Sequence, residues 1–212
     1  MQDTLDNKIK VLVWISLFLI GVHGVNELIF NRHLSGFGIQ PGNVSGLPFI
    51  LIAPFLHGSW SHLFQNLFGL LLFGGFCLFR GISFFLKSSV IILVVTGVLV
   101  WGFARPTVHI GASGWVFGLW SLTIALAIFQ FSFQNIAIAT FVVVFYGGMF
   151  SGLFPQSPNI SHESHMFGAL AGFFSAFLMS RFQPITAEQS VEEEPDDGEF
   201  EQDTEPPNEV KS

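Results

Sequence analysis

The sequence predicts an all-α polytopic membrane protein with six transmembrane helices and a short fourth helix that starts inside the membrane. Three observations carry this. The chain of 212 residues is half hydrophobic and holds 27 Phe. Between Asn7 and Ala187 only Glu27 and Glu163 are acidic. Apolar windows of the roughly 17 to 25 residues that cross a bilayer as helix recur along it. A soluble helical bundle would need a polar stripe on each helix at 3.6-residue spacing, and these windows lack one.

The windows fall at residues 11–30, 61–80, 88–104, 113–130, 135–154 and 163–182. The first follows Lys8 and Lys10 as a signal peptide would. It stays apolar well past a signal core, and no small-x-small cleavage pattern follows, so it reads as an uncleaved span. The connection at 31–60 mixes Gly36, Gly38, Pro41, Gly42, Pro48 and Pro54 with Phe37, Phe49 and Phe55. That mixture suits an interfacial loop that buttresses the bundle from the side.

Arg105 and Pro106 end the third window only a few residues before Ser113. A helix over 113–130 covers about 26 Å, so it can begin below the outer surface with its free amides turned into the protein. Residues 107–112 then form irregular backbone at membrane depth, which is tolerated only where protein buries it or water fills a cavity. The expected cavity opens on the outer side.

Most of the net charge of -7 comes from the end of the chain, where Glu192, Glu193, Glu194, Asp196, Asp197, Glu199 and Glu201 sit with Pro195, Pro206 and Pro207. Such a segment cannot bury enough apolar surface to fold and is expected to be disordered. In a six-span arrangement Lys8, Lys10, Arg80, Lys87 and Arg181 share one side, against Arg32 and Arg105 on the other. The basic excess puts both termini in the cytoplasm. The expected organisation is a cytoplasmic N-terminus at 1–10, a membrane domain at 11–183 and an acidic cytoplasmic tail at 184–212. The single cysteine, Cys77, cannot form an internal disulfide.

Ionisable or nucleophilic groups inside a membrane span are costly and mark functional sites. Ser113 lies in the run Gly111, Ala112, Ser113, Gly114, and His165 in the run His165, Met166, Phe167, Gly168. Acyl transfer needs a nucleophile, a base and donors for an oxyanion. Ser113 is the candidate nucleophile and His165 the candidate base. The donors are the Ser113 amide at its helix start with the side chains of His62 and Asn66, which stand four apart on one helix face. Gly111, Gly114 and Gly118 on the fourth span, with Gly168 and Gly172 on the sixth, allow the two backbones to approach and bring His165 to Ser113. Phe117 lies one turn after Ser113, placed to cover the imidazole. No acidic residue is available to complete a triad, so a dyad is predicted. His165, among apolar neighbours, is expected to be neutral near pH 7 and able to accept the serine proton.

These motifs carry a resemblance. The run His57, Gly58, Ser59, Trp60, Ser61, His62 followed by Asn66, the G-x-S-G element ending at Gly114, and His165 with Gly168 and Gly172 resemble the bacterial rhomboids, intramembrane serine proteases. The match extends from about Gly36 to Arg181. It implies a rhomboid-like fold in the bacterial inner membrane, Ser113 as nucleophile, His165 as general base and acid, His62 and Asn66 as oxyanion contributors, and Phe117 at the family's aromatic position. It also implies a substrate gate near residues 146–161. The Trp-Arg pair that many relatives carry in the first loop is absent, with Arg32 the only nearby arginine.

Other readings attach to the same residues. His57 lies off the face of His62 and suits a structural hydrogen bond. His109 precedes the helix start and suits a brace for its loop. His23, Asn26 and Glu27 share a face of the first span and suit anchorage of the first loop. His162, Glu163 and His165 are one residue short of the HExxH metalloprotease spacing, and no metal or other cofactor is expected. The predicted activity is endoproteolysis in or near the transmembrane segment of a membrane-protein substrate, favoured where glycine, proline or small residues weaken the substrate helix. The expected partners are such substrates and the lipid bilayer, with no nucleic acid; no oligomeric state follows from the sequence. The alternative is a catalytically silent homologue that binds membrane proteins, and a transporter is disfavoured because repeat halves and paired acidic residues are lacking.

Overall fold

The structure is a computed structural model that describes residues 3–157 and 160–182. The acidic tail expected at 184–212 lies outside the described residues. Six α-helices occur among them: α1 Leu5–Leu28, α2 Trp60–Phe79, α3 Ile82–Phe103, α4 Ser113–Phe129, α5 Phe133–Tyr146 and α6 His162–Phe182. Short 3₁₀ turns occupy His33–Gly36, Val44–Leu51, Ala53–Phe55 and Gly147–Leu153.

Local chemistry sets the boundaries. Thr4, Ser59 and Ser132 cap α1, α2 and α5, each side-chain oxygen accepting an amide from the first turn. Between α2 and α3 the chain reverses at Gly81, whose φ of +111° excludes most side chains. There the Asp3 carboxylate accepts the Ile82 amide at 3.0 Å and so caps α3. α1 starts at Leu5 and α3 at Ile82, each six residues before the sequence reading, because these caps lie further upstream. Residues 5–10, expected as an N-terminal tail, are therefore helical.

Among the described residues, four segments are long and apolar enough to cross a membrane: Leu5–Leu28, Trp60–Phe79, Ile82–Phe103 and Phe133–Leu153. The six-span expectation fares differently at the other two helices. α4 has 17 residues, and α6 opens on the polar run His162, Glu163, Ser164, His165. These are the helices that carry Ser113 and His165, so the departure from ordinary span character coincides with the candidate chemistry.

α4 is the axis of the bundle. Twelve of its residues, from Ser113 to Leu126, are buried, whereas only Leu19, His23 and Asn26 are buried on α1. Its closest partner is α6. A Cβ added at Gly168 would stand 2.2 Å from Gly114 O, and one at Gly172 only 1.9 Å from Gly118 O. Backbone meets backbone there, which only glycine permits. At the opposite end of α4, Arg80 donates to Asn135 Oδ1 at 3.0 Å and to Gln130 Oε1, fastening the end of α2 to the α4–α5 turn.

The first connection does buttress the bundle. Asn26, fully buried, accepts the Leu34 amide and donates to Ser35 Oγ, both at 3.0 Å. Ile50 fills the space left by Gly97 on α3. Ile39 and His109 exchange two backbone hydrogen bonds of 2.9 Å, and Gly111 N donates to Ala53 O at 2.9 Å. The loop that leads into α4 is therefore held along its length by the first connection.

Candidate active site

α4 begins at Ser113 because the residues before it cannot be helical. Gly111 has φ of +109°, a conformation that favours glycine. A Cβ there would also lie 2.5 Å from His62 Cε1, 2.8 Å from His62 Nε2 and 3.6 Å from Asn66 Nδ2. The backbone just before Ser113 thus lies directly against the two α2 side chains expected to contribute to an oxyanion site.

His57, five residues upstream of His62, faces the same loop. It is 1% exposed, and its Nε2 accepts the Ala112 amide at 3.4 Å. Burial among apolar atoms, with His62 and His23 nearby, pushes its pKa down to about 3, so the ring stays a neutral acceptor. The Ala112 amide is therefore taken, and the Ser113 amide at the helix start is the next donor in line.

On α6, His165 stacks on Phe117 with ring centroids 4.1 Å apart and planes 8° from parallel. Its Nδ1 lies 2.9 Å from Gly152 O. A carbonyl can only accept, so Nδ1 carries the hydrogen and Nε2 presents its lone pair. A main-chain carbonyl thus fixes the orientation and tautomer of this ring. Carbonyls leave no mark in a sequence, and this contact was not expected.

Ser113, His165, His62, Asn66 and Phe117 all line one cavity of about 950 Å³, walled further by Phe68, Phe73, Tyr146 and Met149. Asn66 Nδ2 is buried and has no hydrogen-bond partner among the described residues, which is costly unless something else binds it. A donor that lines one cavity with a hydroxyl and an imidazole can polarise a carbonyl bound there. The structure thus gathers every residue named for the site from the sequence, and the four packing glycines lie where α4 meets α6.

Other candidates engage other groups, although His109 also lines the cavity. His109 Nδ1 lies 2.7 Å from Ser161 Oγ and Nε2 lies 3.0 Å from Arg105 O, so it braces loops. Glu27 pairs with Arg32. His162 contacts Glu163 at 3.4 Å. No group of three or more His, Cys, Asp or Glu suited to a metal occurs among the described residues.

Comparisons with known proteins agree on kinship. The model of the Rhomboid domain matches residues 46–182. An uncharacterized protein of Mycobacterium tuberculosis (strain ATCC 25618 / H37Rv) is 32% identical over 179 residues, covering 80% of this chain and 74% of that protein. An uncharacterized protein of Mycobacterium leprae (strain TN) is 29% identical over 182 residues, with 81% and 71% covered. Rhomboid-like protein 11, chloroplastic, of Arabidopsis thaliana is 26% identical over 193 residues, with 84% and 68% covered. With a domain model matching most of its helical core, the chain is an integral membrane protein that belongs to the rhomboid family.

Proposed function

We propose that this protein is an intramembrane serine endopeptidase that cuts a peptide bond in or near the transmembrane segment of other membrane proteins. The observation that carries the reading is that Ser113 and His165, whose Nδ1 is held by Gly152 O so that Nε2 carries the lone pair, line one cavity. His165 Nε2 takes the serine proton as Oγ attacks the carbonyl. The Ser113 amide, His62 and Asn66 Nδ2 bind the oxyanion. His165 then returns the proton to the leaving amine, giving an acyl-enzyme. A water deprotonated by the same nitrogen attacks the ester and frees the enzyme.

In this reading all six helices cross a bacterial inner membrane, both termini are cytoplasmic and the cavity opens on the outer side. The basic residues Lys8, Lys10, Arg80, Lys87 and Arg181 support that orientation. A helical peptide bond is shielded by its own hydrogen bonds, so substrates are those whose helix is weakened near the cut. A uniform polyleucine span should resist cleavage.

The rhomboid family also contains silent binders. The two readings part in liposomes carrying a model transmembrane substrate. The protease reading expects cleavage by the wild type and none by Ser113→Ala or His165→Ala. Binding without cleavage by all three would establish the silent alternative.

A further inference from the structure

Where the loop entering α4 meets the turn entering α6, a line of side chains crosses between them. His109 is 2% exposed. Its Nε2 lies 3.0 Å from Arg105 O and 3.3 Å from Thr107 Oγ1, and its Nδ1 lies 2.7 Å from Ser161 Oγ. Ser161 Oγ lies 2.7 Å from Ser164 Oγ and 3.2 Å from the Ser164 amide.

The chemistry of these groups gives the line one direction. Arg105 O can only accept, so Nε2 carries the imidazole hydrogen and Nδ1 accepts the Ser161 hydroxyl. Ser161 Oγ, its hydrogen spent, accepts the hydroxyl and the amide of Ser164. His109 precedes Ser113 by four residues, and Ser164 directly precedes His165. The Ser164 carbonyl also faces Gly114, where an added Cβ would lie 3.1 Å from it. One end of the line is thus tied to the nucleophile and the other to the base.

We infer that the His109–Ser161–Ser164 line is a positioning element that sets the approach of the His165 imidazole to the Ser113 hydroxyl. The inference rests on the protease reading. Neither His109 nor Ser161 takes part in the chemistry; they fix where it happens.

A second tie joins the same segments from outside. Arg105 Nη2 donates to Ile160 O at 2.6 Å, and Arg105 Nε stands 3.3 Å from Glu163 Oε1. His162 lies on the far side of that carboxylate. These are the charged and titratable groups around His109. Burial outweighs the pull of Glu163 and keeps His109 below the ordinary histidine range, so the line keeps its direction at neutral pH. Because the outer tie is independent of Ser161, loss of the Ser161 hydroxyl leaves the loops joined and removes only the fine register.

The experiment measures kcat and KM for a transmembrane substrate in liposomes, with active sites counted by a serine-directed phosphonate, for wild type, Ser161→Ala, Ser161→Thr and His109→Ala. A shift of a fraction of an ångström between nucleophile and base predicts a fall in kcat per titrated site of about tenfold for Ser161→Ala and His109→Ala. KM should stay within about twofold, and the phosphonate rate on Ser113 should fall in the same ratio. Ser161→Thr, which keeps the hydroxyl, should recover most of the loss. Ser161→Ala with wild-type kcat per titrated site, or a loss seen only as fewer titratable sites, overturns the inference while leaving the protease reading intact. A wild type that neither cleaves nor labels overturns both.

Discussion

Adding one methyl group between α4 and α6 should cost this protein its activity before its fold. A Cβ at Gly168 stands 2.2 Å from Gly114 O and one at Gly172 stands 1.9 Å from Gly118 O, against 3.4 Å or more for ordinary contact. The obstacle is backbone, which cannot rotate away as a side chain can. For Gly168→Ala, α6 must retreat by about 1.2 Å, and for Gly172→Ala by about 1.5 Å. His165 lies one turn before Gly168 on the same helix and moves with it. A misplacement of about 1 Å costs roughly 100-fold in rate, while overpacking a core costs about 1 to 3 kcal/mol. The assay is substrate cleavage in liposomes paired with thermal unfolding in detergent. Gly75→Ala is the control, since nothing lies within 4 Å of an added Cβ there. It should retain full activity and gain roughly 0.5 to 1 kcal/mol from helix propensity. Full activity in Gly168→Ala would refute the argument that this contact sets the nucleophile–base distance.

Four further outcomes follow from particular contacts. His57 titrates near 6.5 in an unfolded chain but only at about 3 in the fold. The folded state therefore binds fewer protons, and the contribution is complete above about pH 6.5 and drains away as pH falls toward 3. The whole window amounts to about 5 kcal/mol, and unfolding midpoints recorded between pH 7 and pH 4 should fall less steeply for His57→Gln. Asn66→Ala and His62→Ala should each lower kcat by about 10²- to 10³-fold if they hold an oxyanion, measured per titrated site; a change in KM alone would count against that role. Asn26→Ala should destabilise by about 1 to 3 kcal/mol, because it strands the Leu34 amide and Ser35. Glu27→Gln should barely move the midpoint of chemical unfolding, since its pair with Arg32 is solvent-screened.

The helical class and the small-residue seam were legible because both depend on side-chain size and polarity, which a sequence states outright. Gly168 and Gly172 announced a close approach through their spacing alone. Ser113, His165, His62 and Asn66 stood out because polar groups are rare within apolar runs. Helix starts were less legible: α3 begins at Ile82 because Asp3, 79 positions away, caps it. Nothing local predicts such a partner. The 3₁₀ turn at Gly147–Leu153 replaces the continuous fifth helix that hydropathy suggested, and it is this irregular stretch that offers Gly152 O to His165. Hydropathy registers how apolar a segment is but not where its carbonyls point. Of His23, Asn26 and Glu27, expected to anchor the first loop, Asn26 carries the weight, because its amide side chain satisfies two loop groups at once.

If the protein is a protease of this kind, the Ser113 hydroxyl becomes covalently acylated with His165 as its base. Incubation with a serine-directed phosphonate followed by mass spectrometry of the digested protein reads this directly. The adduct should map to Ser113 in the wild type, vanish in Ser113→Ala and form far more slowly in His165→Ala. An adduct on another residue, or equal labelling of Ser113 without His165, would contradict it.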